Sequence, residues 1–365
     1  MNRIVTAFLL LLAPVAALGD WQAFRAEGGI TAVHQRETNG DRQDTAVSGD
    51  LFLFLPVSSG EWMLYIEGAT ATSVDSLFNV YPESNADAGS AQDDDGGSRI
   101  QVSEFNYRWV INERNELTLG QIDPSAHLDR SRIANDENAH FLGASFVNNP
   151  TIEFPDYALG LMYRINRTAT SPEITAILSS SDGLADNPGR SYRELIDVAD
   201  AGKGIFAGLG ARWAIGATRI GFGGWYRSDE HPEIGNPDSS LHNYGAYGVY
   251  GWQSGNHGVN FRAGAARATV SPAEFFIGAA YEGVTPFGAF GIGVGKIYES
   301  DPLVDLGTND TIHAETFFRI PLLSETSHLT VALQYIENSG FDSSDATIDA
   351  HALLAAVRFH IWFGQ

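Results

Sequence analysis

The chain has 365 residues, with 45 acidic against 22 basic side chains, a formal charge of −23, no cysteine and 39 glycines. A cysteine-free chain has no disulfide, no thiolate metal site and no thiol nucleophile, and the acidic balance excludes nucleic acid as a partner. A hydrophobic fraction of 44% and 11% aromatics, with no apolar run outside the N-terminus long enough to span a membrane as a helix, suit one large closed sheet better than the several domains that length alone suggests.

The first residues, "MNRIVTAFLLLLAPVAALGDW", combine a basic Arg3, an apolar run from Ile4 to Leu12 and small residues beyond it. Residues 1–19 therefore read as a secretory signal peptide, cleaved after Ala17 or Gly19, because the run is shorter than the ~20 residues a spanning helix needs. Removing Arg3 with the leader takes the charge from −23 to −24. The remainder, 20–365, reads as one domain.

Alternating apolar and polar residues, in segments of about ten, predict strands near 28–37, 47–57, 61–70, 99–110, 114–123 and 156–165. More are expected near 172–179, 203–214, 217–227, 242–253, 257–267 and 273–282, and the last near 288–298, 311–320, 327–337 and 350–363. About sixteen strands with no helical domain between them predict an all-β chain closed as an antiparallel transmembrane barrel. The connections "INERNE" (111–116), "AIGA" (214–217) and "LLSETS" (322–327) are tight. Those at 71–98, 180–202, 228–241, 299–310 and 338–349 are long and acidic, which is the asymmetry of outer-membrane barrels.

The strand faces sharpen this. Val357, Phe359, Ile361 and Phe363 share one side of the last strand, opposite Arg358, His360 and Trp362. Leu329, Val331, Leu333 and Tyr335 stand against Thr330 and Gln334, and Ile312, Ala314, Phe318 and Ile320 against His313, Glu315 and Arg319. Parity puts Arg108, Arg164, Arg212, Arg219, Arg262, Arg319 and Arg358 on the polar face. On the apolar face, towards strand ends, it puts the aromatics Trp62, Tyr107, Trp109, Tyr157, Tyr163, Trp213, Tyr335 and Phe363. An apolar exterior with interfacial aromatics and a polar interior is the porin pattern. The chain ends "VRFHIWFGQ", where Gly364 and Gln365 follow the aromatic Phe363.

One stretch breaks the alternation. "RIANDENAHFLGASFVNNPTIEFP" (132–155) lies within a connection of some thirty residues, 124–156, too long for an ordinary turn. Ile133, Phe141, Leu142, Phe146, Val147 and Phe154 are expected to anchor it against the inside of the barrel wall, so that its charged edge narrows the channel.

The segment "GQIDPSAHLDRSRIANDENAHFLGASFVNNPTIEFPDYALG" resembles the signature of the OprB-like carbohydrate-selective porins. The likeness rests on "G-x-x-D-P" at 120–124, "ANDE" at 134–137, "F-L" at 141–142 and "FVNNP…FP" at 146–155. "VSEFNYRW" (102–109) and "GDW…R…GI" (19–30) also fit. The resemblance implies a sixteen-stranded outer-membrane porin of a Gram-negative bacterium that passes monosaccharides by passive diffusion, with no cofactor and no metal. Its constriction maps onto Asp129, Arg130, Arg132, Asn135, Asp136, Glu137, Asn148 and Asn149, with Glu104 and Arg108 from the wall. The implied partners are the sugars in transit and the surrounding lipid and lipopolysaccharide, with a monomer and a homotrimer both open.

Guanidinium forks donate several hydrogen bonds, while carboxylates and amide carbonyls accept them, so rows of both replace a sugar's hydration shell. Of the cations only Lys203 and Lys296 are lysines. Trp225 and Trp362 would stack on sugar faces if they point inward, although an interfacial girdle or packing is the favoured reading of each. The arginines also admit a channel for small anions such as carboxylates, or a general small-solute porin. Catalysis is not expected, since His242, His257, His313 and His351 are scattered without a nucleophile beside them. A structural barrel with a plugged lumen remains a further reading. "QDDDGG" (92–97) lacks the ligand spacing of an EF-hand and reads as a solvated acidic loop, with shared divalent cations on lipopolysaccharide as the alternative.

Overall fold

The computed structural model of the chain describes residues 23–364 apart from 73–75, 89, 94, 188, 198–202, 306, 307, 323–325 and 340–350. The leader read at 1–19 lies outside these residues. The strands are β1 (Arg25–Glu37), β2 (Gln43–Val57), β3 (Gly60–Ala69), β4 (Arg99–Val110), β5 (Asn115–Ile122), β6 (Ala158–Ile165), β7 (Glu173–Ser180) and β8 (Ile205–Ile215). They continue as β9 (Thr218–Glu233), β10 (Asn236–Ser254), β11 (His257–Ala266), β12 (Ala273–Thr285), β13 (Gly288–Glu299), β14 (Thr311–Pro321), β15 (Ser327–Glu337) and β16 (His351–Phe363). Each pairs with its neighbours in sequence, and β1 closes on β16 with Gly28 opposite Phe363 and Glu37 opposite Leu354. The result is a closed sixteen-stranded antiparallel barrel, which removes every sheet edge.

Because the strands run up and down in order, all odd-to-even connections emerge at one rim. They include 70–98, 123–157 and 181–204, whereas 58–59, 216–217 and 255–256 are tight turns at the other rim. One expectation about the long connections is corrected. The segment 228–241 is not a loop: β9 and β10 rise as a paired hairpin to Glu233 and Asn236, closed by Ile234 and Gly235. Polar residues on both faces hide such pairing from alternation, and Gly235 at φ +78° supplies the turn. The long connection 71–98 also adds to the core. A one-turn helix, Leu77–Val80, capped by the Ser76 hydroxyl, drops into the barrel and buries Leu77, Phe78 and Tyr81 against Ala46, Ile336, Ala352 and Leu354.

The two faces of the wall divide as expected. Ile30, Leu119, Leu178, Leu209, Phe222, Phe261, Ile292, Val331, Leu333 and Val357 are exposed around the outside. A continuous apolar exterior of this kind marks a surface made for lipid. Among the described residues no helix is long and apolar enough to cross a membrane, so the strands make the span. Trp62, Phe105 and Tyr107 group at the short-turn rim, with Trp62 5.3 Å from Phe105 and 5.0 Å from Tyr107. Tyr157 departs from the expected girdle. It sits inside at φ +59°, one residue before β6, and its hydroxyl donates to Glu67 at 2.8 Å.

A charge placed on the outer belt must leave water for hydrocarbon. Val331→Arg is expected to lower folding stability in a bilayer by about 2–4 kcal/mol, measured by denaturant unfolding from lipid vesicles. An unchanged unfolding midpoint would mean that this face is not lipid-facing.

Candidate functional site

The connection 123–157 lies within the barrel, packed along its inner wall from β7 round to β16 and β1. Its apolar residues seat it in two places. Ile133, Phe141, Leu142 and Phe146 pack on Val33, Ala280, Phe317, Ala332 and Ala356. Leu128 and Ile152 pack on Met162, Ile177, Phe206, Trp225 and Tyr247. Gly143 permits the closest approach, since a Cβ there would stand 2.0 Å from the His313 ring. On the wall, a Cβ at Gly264 would stand 2.1 Å from Thr151 Oγ1.

Apolar contact alone would leave the loop's peptide groups unpaired. Three arginines of the wall take up its carbonyls. Arg262 Nη1 donates to the carbonyls of Phe146 (2.9 Å) and Val147 (3.3 Å), and Nη2 donates to that of Asp129 (3.1 Å) and to Asn135 Oδ1. Its Nε pairs with the Asp129 carboxylate at 3.1 Å, with both side chains fully buried. Arg358 donates to the carbonyls of Glu137 and of His140 (2.9 Å), and Arg319 to that of Ala139. A carboxylate does the complementary work, as Glu315 accepts the amides of Leu142 and Gly143, each at 2.9 Å. Ser145 shares a hydrogen bond with His313 at 3.0 Å, and Thr31 donates to Asn138.

The ten residues expected at the constriction therefore divide. Arg130, Arg132 and Asn148 are exposed on the loop's free edge, and Asp136 and Glu137 are half-buried at its far turn. Arg108 faces the lumen between Glu61 (3.2 Å) and Glu116 (3.6 Å). The other four are turned into the protein, against the expectation that they line the channel. Glu104 accepts the Asp123 amide at 3.1 Å, and Asp129 is held by Arg262. Asn149 donates to the Ala263 carbonyl at 3.2 Å while accepting from Thr151. Asn135 at φ +70° accepts the Ser131 amide and donates to the Val147 carbonyl. Their polarity is spent on fixing the loop, as burial requires.

The arginines divide likewise. Arg262, Arg319 and Arg358 hold the loop, while Arg164, Arg212 and Arg219 face the open part of the lumen. Arg164 Nη2 donates to His127 Nδ1 at 3.1 Å. Burial, then the charges of Arg164 and Arg130, press His127 down to about 3, so this ring is a neutral acceptor. Arg130, Arg132, Arg167, Arg212 and Arg219 surround a cavity of about 280 Å³ near the short-turn rim.

Across the barrel, β16, β1, β2 and β3 present a different wall. Phe52 stacks on Tyr65 at 4.3 Å and lies 6.0 Å from Trp362, and Arg25 covers Phe54 at 5.0 Å. The strand order places β1 diametrically opposite β9, so this aromatic wall faces the arginines of β8 and β9. Of the two tryptophans considered for stacking, Trp225 is buried behind the loop, and Trp362 is half-exposed on the aromatic wall. Carboxylates cluster at the loop's far turn. Burial, then Asp87 and Asp136, push Glu137 up to about 8, and burial raises Asp87 to about 6.

Sequence reasoning placed the arginines inside but did not separate clamps from lining. It also missed Phe52, Phe54 and Tyr65. Parity carries that signal, but "LFLFLPV" (51–57) is apolar on both faces. Among the described residues no group of three or more His, Asp or Glu side chains is arranged to hold a metal.

Comparison with solved structures finds the same fold. The chain is similar to OprB of Pseudomonas putida in its high-pH structure, at 12% identity over 96% of this chain and 95% of that one, with a TM-score of 0.72. It is also similar to an engineered porin of Rh. blastica (10% identity, 93% and 99% covered, TM-score 0.54). OccK2 of Pseudomonas aeruginosa matches at 10% identity, with 95% and 99% covered and a TM-score of 0.51. At these identities the likeness is one of fold, that of the porin barrel. No family model and no curated protein matches the chain.

Removing the central clamp leaves the buried Asp129 carboxylate without its cation and takes one donor from each of three loop carbonyls. Arg262→Ala is expected to cost about 3–5 kcal/mol, measured by denaturant unfolding, and to add open-channel noise in single-channel records as the loop loosens. Wild-type stability with a quiet channel would contradict the clamp.

Proposed function

We propose that this chain is an outer-membrane porin of a Gram-negative bacterium through which small hydroxylated solutes, monosaccharides foremost, diffuse passively to the periplasm. One observation carries the reading: a loop fixed inside a closed barrel leaves a lumen with aromatic rings on one wall and guanidiniums on the other. A sugar needs both. Its ring face is apolar enough to lie on Phe52, Tyr65 or Trp362, while its hydroxyls exchange water for the Arg108–Glu61–Glu116 and Arg212–Glu173 groups. Because these donors and acceptors already satisfy one another in part, each new contact stays weak, which passage requires.

The arginine-walled cavity favours a second reading, a channel for small anions such as carboxylates. On either reading no chemistry is performed, and the solute leaves as it entered.

The direct test is reconstitution. Liposomes carrying the protein should swell faster in D-glucose than in mannitol, a linear polyol of similar size, and Trp362→Ala should narrow that difference. Deleting 132–149 should raise single-channel conductance and abolish the discrimination. Equal swelling rates in the two solutes would contradict the carbohydrate reading. Unchanged conductance after the deletion would contradict the loop as the constriction.

A further inference from the structure

The cavity near the short-turn rim is unusual in its charge. Five guanidiniums reach it, from Arg130, Arg132, Arg167, Arg212 and Arg219, and its lining includes no carboxylate. Glu173 stands beside it, 2.9 Å from Arg212 and 3.9 Å from Arg130. Among the described residues, Arg132, Arg167 and Arg219 form no ion pair. Arg132 ends on the Gln253 amide oxygen at 3.3 Å, and Arg219 on the carbonyls of Gly216 and Thr218, each at 3.0 Å.

Cations gathered round one cavity repel one another, and an anion that enters relieves the repulsion. Burial, then the neighbouring Arg212, holds the Arg130 guanidinium below its ordinary value, with Glu173 opposing. Glu173 shows what the arrangement does with a carboxylate, since one is already shared between two of the five guanidiniums. Planar forks match a carboxylate's two oxygens, and Gln253 and Ser131, both in the lining, offer partners to hydroxyl groups. At about 280 Å³ the space lies just below the range of drug-sized ligand sites, about 300–1,000 Å³, a fit for one small solute.

We propose that this cavity is a subsite for the carboxylate of a small hydroxylated acid, so that the carbohydrates the channel favours are acidic sugars, uronates and aldonates, over neutral ones. The inference rests on the porin reading and narrows its substrate class. The carboxylate is held at Arg132, Arg167 and Arg219, and the hydroxyls turn to Gln253 and Ser131. Because Arg132 sits on the inward loop and Arg219 on β9, the solute bridges loop and wall near the short-turn rim.

The test is block of ion current through the intact protein in a planar bilayer, titrated with D-glucuronate, D-glucose and acetate. Glucuronate is expected to interrupt the current at a concentration about tenfold lower than glucose or acetate. The triple variant Arg132→Gln, Arg167→Gln, Arg219→Gln, checked for folding by its heat-modifiable gel mobility, should still conduct and lose that preference. Equal block by glucose and glucuronate in the wild type, or an undiminished preference in the triple variant, would overturn the proposal. Block by acetate at the glucuronate concentration would overturn its sugar component. Glucose passage without any glucuronate preference would leave the porin reading standing, whereas absence of conductance would remove both.

Discussion

The interior of this barrel depends on buried guanidiniums that take up the carbonyls of an irregular loop. A wall strand has already spent its own amides on its neighbours, so it has no backbone donor left to offer the carbonyls of a segment lying across it. The loop's carbonyls, pressed against the wall and away from water, would each carry the cost of an unmade hydrogen bond. Arginine meets this requirement because one side chain presents five donors in a plane. Arg262 serves Asp129, Phe146, Val147 and Asn135 at once, joining the two ends of the loop's inner course to β11. Arg319 and Arg358 repeat the device at 137–140, and Glu315 inverts it for two amides. Paired in this way, irregular backbone is tolerated at membrane depth.

The loop's seat along the inner wall, from β7 round to β16 and β1, has a consequence for what stays open near the short-turn rim. The aromatic wall of β2, β3 and β16 and the arginine wall of β8 and β9 are left facing each other across the lumen. Solutes are thus met by an apolar, stackable surface on one side and a cationic one on the other, with acidic groups collected at the loop's far turn. Placing opposite characters on opposite walls lets each act on a different part of a passing molecule, and it keeps the acidic groups of the loop's far turn away from Arg132, Arg167 and Arg219.

Strand-by-strand architecture was legible because period-two alternation is enforced wherever one face meets lipid and the other meets a filled interior. β4 and β15 run over 99–110 and 327–337, the ranges their alternation predicts. The pattern fails where that enforcement ends. Above the apolar belt, 228–241 carries polar residues on both faces, yet it continues the β9–β10 pairing. "SLFNVY" (76–81) is too short to show a period, yet it buries Leu77, Phe78 and Tyr81. The site was legible as a segment and not as individual roles. That Asp129 is a clamp partner and Arg132 a free edge depends on Arg262, more than a hundred positions further along the chain, and nothing local in "LDRSRIAND" separates the two.

The central claim is that residues 123–157 occupy the lumen. Because the chain has no cysteine, an Arg132→Cys variant offers a single thiol, and a charged methanethiosulfonate reagent can be added while one channel is recorded in a planar bilayer. An abrupt, irreversible fall in single-channel current on modification is the expected result. Full modification of that thiol with the current unchanged would place the segment outside the conducting path and contradict the account.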